Sequence, residues 1–211
     1  MRAKWLIYIS ASLCVLRAQT GFAGTLHFDA GVTSDYVWRG LTQTRGKPAV
    51  SGGMEHVTDG NWYFGAWASN TQSEAYTYGS AELDLYVGLT GQGDSIGYDI
   101  GFINYQYPAY SGADFSEMYF ALIADKLMFK YSDSSDAGTY LEVNITYPLS
   151  MHKDASLVVH VGNYDRSHAS GYVDTSISLT VSELSLTLSK ASVDTPQDKD
   201  LKAFVSWKHS F

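Results

Sequence analysis

Cysteine is nearly absent from this 211-residue chain, with Cys14 the only one. Because Cys14 falls in a segment that reads as a leader, the remainder has no disulfide framework, thiolate metal site or cysteine nucleophile. Charge is sparse as well. Only 17% of residues are charged, low for a domain surrounded by water, although the mean hydropathy is slightly negative. Beyond the N-terminus no apolar run is long enough for a membrane helix. Positive charge is in deficit, and a formal charge of -8 argues against nucleic acid as a partner, since that ligand selects for basic surface.

The N-terminus has the layout of a secretory signal peptide over residues 1–23. Arg2 and Lys4 open it, Trp5 to Leu16 are mostly apolar, and Gly21-Phe22-Ala23 supplies a small-x-small cleavage site. Leu13 stands where a lipidated cysteine would need a small neighbour, so Cys14 is not read as a lipoprotein site. The leader carries three basic residues and no acidic one, so its removal takes the formal charge to about -11. Residues 24–211 form the one remaining domain.

Within that domain the recurring pattern is strict alternation, the period of a strand with different surroundings on its two faces. Leu26, Phe28, Ala30 and Val32 oppose His27 and Asp29 in a segment read as continuing to Trp38. Leu83, Leu85 and Val87 oppose Glu82, Asp84 and Tyr86; Leu141, Val143 and Ile145 oppose Tyr140, Glu142 and Asn144. About twelve such segments fit. Soluble sandwiches also alternate, and the connections decide between the two. Those at 59–61, 91–94, 124–126, 150–154 and 182–183 are short, and those near 42–47, 70–79, 108–115, 133–138, 165–171 and 194–199 are longer. Short turns on one side and long loops on the other predict an all-β chain forming a transmembrane antiparallel barrel of about 12 strands in a bacterial outer membrane. Its many tyrosines and tryptophans supply interfacial belts. Phe211 ends the last apolar face, where it anchors the strand and completes a signal for the barrel-assembly machinery. Lipid, lipopolysaccharide and small solutes are the other expected partners. No cofactor is implied.

The stretch "SDYVWRGLTQTRGKPAVSGGMEH", with "NWYFGAWASN" after it, resembles the TorF-type porin family of proteobacterial outer membranes. Ser34, Tyr36, Arg39, Gly40, Gln43, Lys47-Pro48-Ala49, Gly52, Gly65, Trp67, Ala68, Ser69 and Asn70 carry the resemblance. Tyr107, Pro108 and Glu117 extend it, as does "TYLEVNITYPL". The resemblance implies a small barrel with a pore role and no catalytic residue.

With the apolar face outward, the inward carboxylates are Asp29, Glu55, Glu82, Asp84, Asp99, Glu117, Glu142 and Asp174. The inward cations are Arg39, Lys130, Lys202 and Lys208. The lumen therefore reads as net negative and weakly cation-preferring. Tyr63, Trp67, Tyr86, Tyr105, Tyr119 and Tyr140 also point inward and are expected to narrow any path. Arg39 either sets a constriction charge or pairs with a lumen carboxylate such as Glu55 or Glu82 and fixes the register. Pro48 marks a strand start, and Gly52-Gly53 a bend or bulge.

A non-conducting structural or adhesion-type barrel remains an alternative. An outer-membrane lipid hydrolase is a weaker one. His168-Ala169-Ser170 matches the His-x-Ser pair of such enzymes, but it falls in a loop and no Asn follows it. "SDSSDAG" lacks the full ligand pattern of a calcium loop.

Overall fold

A strand that alternates apolar and polar residues must place its two faces in different surroundings, and closing a sheet on itself does this without leaving an edge. The computed structural model describes residues 15–16, 24–72, 80–150 and 152–211. Its first four barrel strands are β1 (Gly24–Thr33), β2 (Ala49–Thr58), β3 (Trp62–Thr71) and β4 (Ser80–Gln92). The next four are β5 (Gly97–Gln106), β6 (Phe115–Ala124), β7 (Leu127–Ser134) and β8 (Gly138–Pro148). The last are β9 (Ala155–Arg166), β10 (Tyr172–Val181), β11 (Leu184–Ala191) and β12 (Lys202–Ser210).

Each strand pairs antiparallel with its sequence neighbour, and β12 returns to β1 through Ser206 opposite Thr33 and Ser210 opposite Asp29. The sheet is a closed ring of twelve strands. Phe28, Met54, Leu85, Phe102, Met118, Phe129, Ile177 and Leu186 are exposed on the outside, whereas Glu82, Asp99, Glu117 and Asp174 are buried inside. An apolar exterior around a polar interior suits a barrel surrounded by lipid.

The leader expected over 1–23 lies outside the described residues apart from Val15–Leu16, whose backbone pairs with Leu26 and His27. Most of the connection expected over 70–79 also lies outside them. Two readings of the sequence change. The first strand ends at Thr33, where Ser34 exchanges hydrogen bonds with Val205, so Val37-Trp38 is not its continuation. Gly52 and Gly53 make no bulge, because both keep regular partners on β1 and β3. Gly53 instead clears room for Asp29 and Trp67, which a Cβ would crowd.

Candidate functional site

The connection from β1 to β2, residues 34–48, folds into the barrel. Val37-Trp38 pairs with Leu41-Thr42 across a two-residue turn. Arg39 and Gly40 both have positive φ, +47° and +76°, as a type I′ hairpin turn requires. A side chain at Gly40 would also strike Asp174 and Ala191 on the wall, so the tip is seated as closely as a backbone allows.

The connection braces itself. Asp35 Oδ1 accepts hydrogen bonds from the Thr42 hydroxyl at 2.5 Å, the Thr44 hydroxyl at 3.0 Å and the Gly46 amide at 3.2 Å. The Tyr36 amide donates to Thr44 Oγ1 at 3.0 Å. A short carboxylate that collects its own loop's donors favours a turn over a continuing strand. The wall then holds the tip. Tyr172 OH donates to Arg39 O at 2.9 Å, Lys202 Nζ to Gly40 O at 3.0 Å, and the Thr42 amide to Asp198 Oδ1 at 2.8 Å.

Arg39 is the centre of this arrangement. Its two terminal nitrogens donate to the two oxygens of Glu117, both at 2.8 Å, with side-chain exposures of 7% and 2%. Rings enclose the guanidinium, with centroids of Trp38 at 4.2 Å, Tyr140 at 4.1 Å and Tyr164 at 4.7 Å. A bidentate, cation–π-stacked arginine is fixed in position and orientation. Its partner is Glu117 on β6, not Glu55 or Glu82. It also reaches the lumen from a hairpin tip rather than from the wall.

The other expected lumen residues fall into groups. Glu82 and Asp84 are buried near the tip, beside Tyr36 and Tyr107. Burial first, and then the Glu82 carboxylate, pushes the Tyr36 and Tyr107 hydroxyls well up, so both stay protonated donors. Asp174 accepts from Tyr140 OH at 3.0 Å and lies 2.8 Å from His160 Nε2, and Asn144 links His160 to Glu142. Farther from the hairpin, Tyr63 OH donates to Asp99 at 2.6 Å and also meets Tyr119 OH. Lys130 Nζ lies 4.2 Å from the Tyr119 ring, and Lys208 lies 3.5 Å from Asp29. Glu55 sits beside Tyr86. Phe211 hydrogen-bonds through its amide to Phe28 O, with its ring exposed beside His209.

Sequence reasoning missed a pattern in the wall. Tyr63 lies over Gly88, Tyr86 over Gly65 and Tyr119 over Gly101, each pair directly opposite on neighbouring strands. These rings lie along the wall in space left by the glycines, so they obstruct the bore less than inward tyrosines would suggest. The pairing register is what exposes the pattern. His168 and Ser170 sit exposed in the turn after β9, where Ser170 O accepts from Arg166.

A bacterial family described as a protein of unknown function (Gcw_chp) matches residues 18–210. No curated protein matches. Among solved structures the barrel is similar to the KdgM porin, with a TM-score of 0.59, 11% identity and coverage of 88% of this chain and 98% of that one. The same porin in complex with disordered oligogalacturonate gives a TM-score of 0.56 at 11% identity, with 88% and 98% coverage. Outer membrane phospholipase A from Escherichia coli follows with a TM-score of 0.42, 10% identity, and coverage of 89% and 91%.

Proposed function

The chain belongs to the Gcw_chp family, and from that premise and its porin-like barrel we propose an outer-membrane channel for small solutes, weakly selective for cations, with the Arg39 hairpin as its constriction. The TorF-type porin assignment is part of this reading. One observation carries it. Among the described residues, the buried atoms Glu82 Oε2, Asp84 Oδ1 and Asp99 Oδ2 have no hydrogen-bond partner, although Tyr36 and Tyr107 lie beside Glu82 and Tyr63 donates to the other oxygen of Asp99. A sealed core holds few such atoms, because each buried polar atom left without a partner costs about 1–3 kcal/mol. A cation admitted to the lumen beside them would supply the missing partner. Because Glu117 already neutralises Arg39, the remaining lumen acids outweigh Lys130, Lys202 and Lys208.

A planar-bilayer recording under a salt gradient tests this. The expected reversal potential has the sign of cation preference. Glu82→Gln with Asp84→Asn is expected to weaken that preference more than Asp133→Asn with Asp136→Asn, because the latter pair lies toward solvent, where salt screens it. Anion preference in the intact protein refutes the lumen assignment.

The seated hairpin favours a second reading, a non-conducting barrel whose long loops serve adhesion or structure. Zero conductance both from the intact protein and from a variant with residues 37–42 excised decides for it.

A further inference from the structure

The long loops border an open cavity of about 480 Å³ beside the hairpin connection, within the range of about 300–1,000 Å³ that holds small ligands. Its lining divides by chemistry. The connection from β5 to β6 contributes two rings, Tyr107 and Tyr110, and the start of β6 a third, Phe115. Tyr110 is half-exposed, its ring resting against Gly112 in the one-turn helix Ser111–Ala113. Phe115 is stacked on Tyr105, 4.4 Å between centroids and 19° between planes, which fixes its orientation. Amides line it too: Gln43 from the hairpin connection, Gln72 after β3 and Gln197 from the last loop. The Gln72 backbone N–H donates to the Gln43 backbone carbonyl at 2.8 Å, so two of these residues are tied together.

We propose that this cavity is a binding site for a neutral mono- or disaccharide. Each pyranose ring has an apolar C–H face, which packs on an aromatic ring, and a rim of hydroxyls that both donate and accept. A glutamine side chain also donates and accepts, so it matches a hydroxyl in either direction. Charge excludes the closest rival. A uronate oligomer brings one carboxylate per residue and needs grouped Arg or Lys to hold it. Among the described lining residues the charged ones are a single cation, Arg45, and Asp198, which Lys202 holds at 3.0 Å, so no group of cations lines the cavity. The site lies on the loop side of the Arg39 constriction, where it would concentrate a sugar at the mouth. It extends the channel reading without depending on conduction.

Calorimetric titration of the refolded protein in detergent with maltose, cellobiose and digalacturonate tests the proposal. The expected result is saturable binding of a neutral disaccharide that is unchanged by salt, with digalacturonate weaker. Tyr110→Ala is expected to weaken it about 2- to 10-fold, the worth of one aromatic contact, and Gln197→Leu to weaken it independently. Heat-modifiable mobility verifies that each variant is folded. No binding by folded protein, tighter binding of digalacturonate, or unchanged affinity in both variants overturns the proposal. A conducting barrel that binds no neutral sugar refutes this site and leaves the channel, whereas a non-conducting barrel that binds one does the reverse.

Discussion

Replacing Arg39 with methionine keeps an apolar stem among Trp38, Tyr140 and Tyr164 but removes the charge facing Glu117. Among the described residues Glu117 then retains one donor, Tyr105 OH at 3.2 Å, in a site where it is 2% exposed. Breaking a buried ion pair from one side costs about 3–5 kcal/mol. The protein could avoid that cost by releasing the hairpin into water. Release forfeits the charge-assisted bonds Lys202–Gly40 and Thr42–Asp198, at roughly 1.5–3 kcal/mol each, and the Tyr172–Arg39 bond at about 1 kcal/mol. It also exposes Trp38, partly buried among Tyr140, Tyr164 and Tyr172, for about 2 kcal/mol more. The sum exceeds the cost of staying, so the hairpin is expected to remain seated and the loss to appear as lower barrel stability. Urea unfolding in lipid vesicles, followed by heat-modifiable mobility, measures it. Arg39→Met should lose about 3–5 kcal/mol, while Arg39→Met with Glu117→Leu should recover most of that, because an apolar pair of similar volume is tolerated. The double-mutant cycle should give a coupling of about 2–4 kcal/mol. A coupling below about 0.5 kcal/mol refutes the reasoning, and so does a fully open conductance in the single variant.

Gly88→Val drives a side chain into the Tyr63 ring and is expected to cost about 1–3 kcal/mol by overpacking; an unchanged urea midpoint refutes the role given to the glycine. Deleting Phe211 is expected to impair outer-membrane assembly while leaving secretion intact, and normal membrane levels of folded barrel would contradict it. Glu183, in the turn between β10 and β11, accepts from Trp207 Nε1 at 2.9 Å and lies 2.5 Å from His209 Nδ1. The hydrogen bond with His209, ahead of that with Trp207, holds its carboxyl below the usual range. The contact with Trp207 should therefore persist as pH falls through about 4.3 and vanish only below it. Trp207 fluorescence reports this, with Glu183→Gln as control, and a transition centred above that range refutes it.

The twelve strands were legible because inside and outside differ in polarity, and period two records that difference residue by residue. Their turns were legible because length alone separates the two ends. The hairpin was not. Tyr36 and Trp38 keep the parity of β1's apolar face, and only the gathering of Thr42, Thr44 and Gly46 around Asp35 turns the chain inward. Arg39 and Glu117 were each recognisable as inward charges. Their pairing was not, because it depends on the relative heights of a loop tip and a strand 78 residues later. The tyrosine–glycine pairs were hidden for a related reason: opposition across strands is a property of register, not of either strand alone.

The hairpin also constrains the order of events as the barrel forms. It hangs from the first strand, yet its anchors come late in the chain. Arg39 waits 78 residues for Glu117 and 133 for Tyr172, and Gly40 waits 162 for Lys202 on the strand that closes the ring. Contacts so distant in sequence carry the largest loop-closure cost and form last. The hairpin can therefore seat fully only in a finished barrel, and every newly made molecule passes through a stage with the hairpin unseated before its first and last strands meet.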